Sequence, residues 1–393
     1  MKKTLMDVDL KGRKILMRVD FNVPLDDARK ITDDSRIRAA MPSMKYVIKQ
    51  GGKLILMSHL GRPKGEVKPE FSLAPVAVRL SELMKKEVKK LDDCTGPGVK
   101  AAVDAMKNGD IVLLENLRFH KEETKNDPVF AKELASLGDI FVNDAFGTCH
   151  RAHASTEGVT KHMPSVAGLL VEKEIEYFEK VTKYPDKPFA LLLGGAKVAD
   201  KIPVIENMLD KIEFLLIGGA MAYTFLKSRL KGVGASRVED DMMETVNRIF
   251  SLASSKGVSI FLPEDHVIAL EVNATAKRKV TKDEHIPDGW IGLDIGPKTI
   301  KNFESILGEA RTIVWNGPVG LFEMKPFSKG TKQLAKFISK LDATTVIGGG
   351  DTAAAVNQLK LGKKMSHMST GGGASLEYLE GKELPGIAAL NDK

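Results

Sequence analysis

Lysines and an aspartate placed beside glycine-rich turns are the residues of this sequence best suited to handling phosphate. Gly194-Gly195-Ala196-Lys197-Val198-Ala199-Asp200-Lys201 sets two lysines four positions apart at the opening of an expected helix. Both would project from one face, beside the positive end of the helix dipole, where cations are disfavoured. An anion held between the amines removes that conflict; the plainer alternative is that both side chains snorkel to water. Gly348-Gly349-Gly350-Asp351-Thr352-Ala353 follows an apolar run and fits a loose G-x-G-x-x-A dinucleotide fingerprint. Glycines let backbone N–H groups approach phosphate oxygens, and a following helix N-terminus adds positive potential. Thr370-Gly371-Gly372-Gly373-Ala374-Ser375 and Gly218-Gly219-Ala220 repeat the pattern, so the second half of the chain reads as a phosphate cradle. Asp351 is either the N-cap of its helix or a ligand for Mg²⁺, which takes hard oxygens alongside waters and phosphates. A Walker A loop is absent, which excludes the P-loop route to nucleotide binding but not nucleotide binding itself.

The first half carries a different set. Arg36, Arg62, Arg118 and Arg151 lie with His59 at or near the ends of apolar runs. Singly, each arginine reads as a surface residue. Together they form a basket for a carboxylate plus a phosphate, because guanidinium grips planar oxyanions bidentately. His59 could donate a hydrogen bond to the same ligand or simply be a satisfied structural histidine. Cys149-His150-Arg151-Ala152-His153 lacks the fourth ligand and the spacing of a zinc site, and Cys149 reads as a packing residue.

Short runs rich in Val, Ile and Leu must position these groups. Ile15–Met17, Lys53–Met57, Ile111–Leu114, Ile140–Val142, Phe189–Leu193, Phe214–Ile217, Ile260–Leu262, Thr312–Trp315 and Thr344–Ile347 each stop at small or polar residues, and helix-like segments follow. Continuous apolar strands alternating with helices predict α/β architecture with parallel sheets covered on both faces. Ligands then sit beyond the strands' carboxyl ends. Pro164–Lys183 reads as one helix connecting two α/β domains, the alternative being a surface helix of one large domain.

Composition narrows the class. The chain has 393 residues, 43% hydrophobic and 28% charged, the balance of a folded globular protein of two or three domains. Its longest near-apolar run, Phe214–Leu226, is too short for a membrane span. Two cysteines, Cys94 and Cys149, make no disulfide framework and point to a reducing cytoplasm. The net charge of +7 comes from scattered basic residues, which suits small anionic ligands better than nucleic acid. A cytoplasmic monomer with small-molecule partners, and with neither membrane nor nucleic-acid partners, is the expectation.

The sequence resembles the phosphoglycerate kinase family from its first strand to its last helix. The stretches that carry the likeness in the first half are Arg18–Pro24, Ser58–Pro63, Glu115–His120, Val142–Gly147 and His150–His153. In the second half they are Gly194–Val198, Val314–Gly320, Gly348–Thr352 and Ser369–Ser375. Only Cys149 stands where such proteins often carry a smaller residue, which touches local packing alone. The resemblance implies two Rossmann-like domains, each a parallel sheet covered by helices, facing across a cleft. Residues 1–165, joined by 385–393, would bind phosphoglycerate; 166–188 would be the connecting helix and hinge; 189–384 would bind the nucleotide. It further implies that Asp20, Phe21, Asn22, Arg36, His59, Leu60, Gly61, Arg62, Arg118 and Arg151 hold 3-phosphoglycerate or 1,3-bisphosphoglycerate. Gly195, Ala196, Lys197, Lys201, Gly219, Gly292, Asn316, Pro318, Glu323, Gly350, Asp351, Thr352 and Ala353 would hold Mg-ADP or Mg-ATP, with Asp351 on the Mg²⁺.

Reversible phosphoryl transfer between 1,3-bisphosphoglycerate and ADP is the function this implies. Such a transfer needs in-line positioning and cancellation of charge on three equatorial oxygens. Arg36, Lys197, Lys201 and the backbone N–H groups of Gly350 and Gly373 are the residues expected to supply it. Two rivals remain at this stage. A nicotinamide-dependent dehydrogenase would need an acidic residue about 20 positions beyond the Gly348 turn, and Glu377 falls later. A basic RNA-binding protein would show steeply salt-dependent association.

Overall fold

A computed structural model describes residues 1–393, which divide into two compact units, Met1–Glu176 with Glu383–Lys393, and Tyr177–Lys382. In the first unit β1 (Lys14–Val19), β2 (Lys53–Met57), β3 (Val88–Lys90), β4 (Ile111–Leu113), β5 (Ile140–Asp144) and β6 (Ser165–Ala167) form one sheet. Its order is β3-β4-β2-β1-β5-β6, and all its pairings are parallel. Ile15, Met17, Val19, Leu54 and Leu56 pack with Ile37, Met44 and Val47 of the helix Ser35–Lys49. Burial of both faces is why these strands read as unbroken apolar runs.

The second unit contributes β7 (Phe189–Leu193), β8 (Phe214–Ile217), β9 (Ser259–Phe261), β10 (His266–Ala269), β11 (Arg278–Val280), β12 (Ile291–Ile295), β13 (Thr312–Asn316), β14 (Thr344–Gly348) and β15 (His367–Met368). A six-stranded parallel sheet runs β15-β14-β13-β7-β8-β9. Leu192, Ile313, Trp315 and Ile347 pack against Phe303 and Leu307 of Pro297–Glu309 and Leu334 of Lys329–Ile338. No helix is long and apolar enough to cross a membrane.

Two expectations need correction. Pro164–Lys183 is not one helix: Ser165–Ala167 pairs in parallel with Phe141–Asn143 of β5, and the helix covers Leu169–Lys183. The sheet edge claims these residues as a sixth strand, overriding the helical spacing of the apolar residues beyond. The all-parallel picture also omits β10, β11 and β12, which form an antiparallel sheet of their own.

Candidate functional site

Strand register assembles the glycine turns of the second unit. Asn316 lies level with Gly348 on one side and Leu193 on the other, and Leu193 with Ile217. The turns that leave these four strands therefore emerge side by side at the sheet's carboxyl edge. They line a cavity of about 390 Å³ with Gly195, Ala196, Gly219, Gly292, Pro318, Glu323 and Asp351 on its wall. Gly195 has φ +97 with open space where a side chain would point, so only glycine keeps that turn unstrained and that wall bare. Gly292 is required sterically, since a Cβ there would lie 2.2 Å from Tyr223 Oη.

The two lysines do not share a helix face. Pro203 stands in the first turn of Ile202–Met208, and Lys201 is that helix's N-cap; proline is favoured there because its missing N–H would be unpaired anyway. Lys197 lies in the preceding loop, exposed. That loop is fixed instead by Glu239, whose Oε2 accepts from Val198 N at 2.9 Å and Ala199 N at 3.1 Å. Lys201 is 8% exposed, its Nζ donating to Asn316 Oδ1. Burial pulls its amine down to about 8, against the opposing pull of Asp200, Glu380 and Asp351. With Oδ1 taken, Asn316 Nδ2 is buried without an acceptor, a cost of about 1–3 kcal/mol that a ligand oxygen would relieve.

Asp351 is not an N-cap. Gly349, at φ 84, caps the helix Gly350–Gln358, leaving Asp351 exposed in the first turn with no side-chain hydrogen bond or ion pair. Thr352 is buried and its Oγ1 accepts from Gly317 N at 2.7 Å. Ala353 N closes the first turn onto Gly349 O at 3.0 Å. Gly350 and Gly373 begin two helices and are exposed, so their N–H groups have no intrahelical acceptor. Thus Gly350, Gly373, Asn316, Thr352, Ala353, Lys197 and Lys201 stand outside the cavity wall, around the turns that form it.

The first unit gathers its expected residues into two sets. Arg62, Arg118 and Arg151 line a cavity of about 480 Å³ with Lys64, Lys121 and Lys125. Burial, then repulsion from Arg18 and Arg151, pulls Arg118 down to about 10, which marks the spot as short of negative charge. Asp20, Asn22 and Arg36 form the second set. Arg36 Nη1 pairs with Asp20 Oδ2, and Asn22 Oδ1 accepts from Gly61 N at 2.8 Å. Arg118 Nη1 donates to Gly61 O at 2.8 Å, tying the sets together. Phe21 and Leu60 are buried in the core, and their N–H groups already donate to Ser58 Oγ and Asn116 Oδ1, so neither side chain nor N–H is free for a ligand.

A buried network behind these residues escaped the reading of motifs. Arg18 Nε donates to Ser155 Oγ at 2.9 Å and Arg18 Nη2 to His59 Nδ1 at 3.1 Å. Ser155 Oγ donates in turn to Glu123 Oε1 at 2.6 Å, and His153 Nδ1 lies 3.7 Å from the same oxygen. Burial, and then Arg18, Arg118, Arg36 and His153, hold His59 well below the ordinary histidine range. A signal for this network was present: an arginine among the apolar residues Ile15–Val19 of that strand must find partners. The cavity wall in the second unit likewise includes Tyr223, Arg237, Val272, Ile291, Leu293 and Leu321, none singled out by motif. Cys149 is buried, and burial pushes its thiol up to about 12, which rules out a thiolate nucleophile at neutral pH.

Parallel α/β units, one bearing an arginine cluster and the other glycine turns with a buried lysine, are suited to binding small anionic molecules. The phosphoglycerate kinase family model matches residues 5–382. Phosphoglycerate kinase of Clostridium tetani is 55% identical over 395 aligned positions, covering 100% of this chain and 98% of that one. The Clostridium perfringens protein of the same name is also 55% identical, with 100% and 99% covered. Among solved structures, phosphoglycerate kinase from Coxiella burnetii superposes with a TM-score of 0.89 at 39% identity, covering 99% of this chain and 98% of that one. That from Pyrococcus horikoshii gives 0.86 at 32% identity, again covering 99% and 98%. The chain belongs to the phosphoglycerate kinase family. It is an enzyme, a nucleotide-binding transferase and a glycolytic kinase, and nothing favours a dehydrogenase or an RNA-binding protein.

Proposed function

We propose that the first unit binds 3-phosphoglycerate or 1,3-bisphosphoglycerate, the second binds ADP or ATP, and the phosphoryl group passes reversibly between them in line. The observation that carries this reading is the Lys201–Asn316 pair at the meeting point of the glycine turns. A buried amine with a lowered pKa and a buried amide N–H without an acceptor together describe a place waiting for an oxyanion. Arg36, Lys197, Lys201 and the N–H groups of Gly350 and Gly373 supply the charge cancellation on the transferring group. No general base is required, because the exchange partner is a carboxylate or an acyl phosphate.

Asp351 fits Mg²⁺: it is a free, exposed hard-oxygen donor on the cavity wall, and one carboxylate with phosphate oxygens and waters satisfies that ion. When bound, Mg²⁺ would neutralise charge on the nucleotide phosphates. With the acid on one unit and the nucleotide on the other, transfer requires closure that expels water, the helix Leu169–Lys183 and the loop after it serving as the connecting hinge. Two free, buried cysteines suit a reducing cytoplasm, where we expect a monomer acting on small molecules. The test is a coupled assay for ATP formation from ADP and 1,3-bisphosphoglycerate with and without Mg²⁺. Mg²⁺-dependent ATP is the expected result; none at any Mg²⁺ concentration would refute the reading.

A further inference from the structure

Neighbouring parallel strands send their following loops out side by side, and β3 and β4 do so at the edge of the first unit's sheet. Leu91 N donates to Leu113 O at 2.9 Å and Glu115 N to Asp93 O at 3.3 Å, which holds Asp93 and Cys94 against the segment after β4. That segment turns at Leu117–Phe119 and delivers His120 to the same place. A carboxylate oxygen of Asp93, Cys94 Sγ and a ring nitrogen of His120 all lie within 4.8 Å of one another. Zn²⁺ held tetrahedrally at its ordinary bond lengths sets such atoms about 3.5 Å apart. Only small side-chain shifts separate the cluster from a coordination shell.

The surroundings of the sulfur favour a cation. Cys94 is fully buried, its Sγ donating to Glu115 O at 2.9 Å. Burial, and then Asp93, Glu123 and Glu115, push its thiol well up, with Arg18 pulling the other way. Lys90 is engaged by Glu115 and Asp92, and no lysine or arginine pairs with Asp93. His120 also lines the arginine cavity, but its Nε2 turns to Asp93 Oδ1 at 2.6 Å. Its ring stacks on Phe130 with centroids 4.8 Å apart, so it is aimed before any ion arrives. Asp93 and His120 are partly exposed, which opens a path for an ion and a place for water as fourth ligand.

We propose that Asp93, Cys94 and His120 form a binding site for Zn²⁺ or a similarly thiophilic divalent cation. The thiol proton leaves to solvent as the Cys94 sulfur bonds the metal, since the thiolate is the ligand. Sulfur and imidazole together select Zn²⁺, Co²⁺ or Cd²⁺ over Mg²⁺, which takes oxygen. Because His120 follows the turn bearing Arg118, the ion clamps that turn to the loop after β3.

The test titrates the whole protein, freed of metal by a chelator, with Co²⁺ and then Zn²⁺, in wild type, Cys94→Ser, His120→Gln and Cys149→Ser. Wild type should take up one equivalent of Co²⁺ with a thiolate-to-metal charge-transfer band, which Zn²⁺ abolishes by displacement and excess Mg²⁺ leaves intact. Cys94→Ser, which keeps a donor for Glu115 O, should lose the band, and Cys149→Ser should keep it. His120→Gln should weaken binding at least about tenfold, since disturbing even a ligand's supporting partner costs that much. Zn²⁺ should raise the melting temperature of wild type and Cys149→Ser but not of Cys94→Ser. No band in wild type, a band surviving in Cys94→Ser, or His120→Gln binding Co²⁺ as tightly as wild type would overturn the inference. Should Cys94→Ser not fold, His120→Gln, which alters a partly exposed side chain, decides alone.

Discussion

Arg18 Nη2 lies 3.1 Å from His59 Nδ1, with both groups buried. Arginine cannot accept a hydrogen bond, so the imidazole must accept at Nδ1 and carry its proton at Nε2. Burial and the surrounding cations keep the ring neutral. His59 therefore has one defined task, donation from Nε2, and its backing is an ionic network rather than apolar packing.

Nitrogen-15 NMR of histidine-labelled protein should show His59 as the neutral Nε2–H tautomer at pH 6, where an exposed histidine is largely charged. An imidazolium signal at that pH would contradict the network. Arg18→Leu should cost about 3–5 kcal/mol in chemical denaturation, because Glu123 would be left buried without its cationic neighbour.

Lys201 should take up a proton when nucleotide binds. Its folded pKa of about 8 lies below the ordinary 10.5, and an anion beside it would raise that value. Calorimetry of ADP binding at pH 8 in buffers of different ionisation enthalpy should report net uptake that Lys201→Met abolishes. In the free protein the unfolded chain binds the extra proton between about pH 8 and 10.5, so this group's contribution to stability rises with pH across that window. An equal pH slope in Lys201→Met would show that the amine is not the titrating group.

Arg36→Ala should reduce turnover about 100- to 1,000-fold, the range for a lost charge-stabilising donor, while the Kd for ADP changes little, since Arg36 belongs to the first unit. Lys197→Ala should lower turnover over the same range. Near-normal turnover in either variant would remove that residue from the transfer step; for Lys197, exposed and outside any helix, it would mean that the side chain simply reaches into water.

Gly292→Ala should raise the KM for nucleotide, because its Cβ would meet the Tyr223 ring and hydroxyl at 2.2–2.8 Å. The double variant Gly292→Ala with Tyr223→Ala should recover part of the loss. Equal KM values in all three proteins would separate Gly292 from the binding slot.

Much of this was legible in the residues. Strands such as Phe189–Leu193 and Phe214–Ile217 stand out because two buried faces demand unbroken apolar runs. Glycine turns announce themselves because few other residues tolerate their backbone. Short edge strands such as His367–Met368 carry no periodicity to read, and Ser165–Ala167 became a strand through pairing alone. Lys197 and Lys201 were visible as chemistry, yet Pro203 moved the helix start past both. The Arg18–Ser155–Glu123 network joins residues 137 and 32 positions apart, and no local pattern encodes such a meeting. Arg237 carried no motif at all; only the folding of β12 beside its segment placed it on the cavity wall.

Residues 1–3 meet residues 391–393. Lys3 N donates to Asn391 O at 2.8 Å and Lys393 N to Met1 O at 2.9 Å, so the first unit is built from two segments, Met1–Glu176 and Glu383–Lys393, that the second unit separates in sequence. That half therefore cannot close its fold until Glu383–Lys393 has followed Tyr177–Lys382 off the ribosome, while Tyr177–Lys382, one uninterrupted stretch, has all its parts sooner.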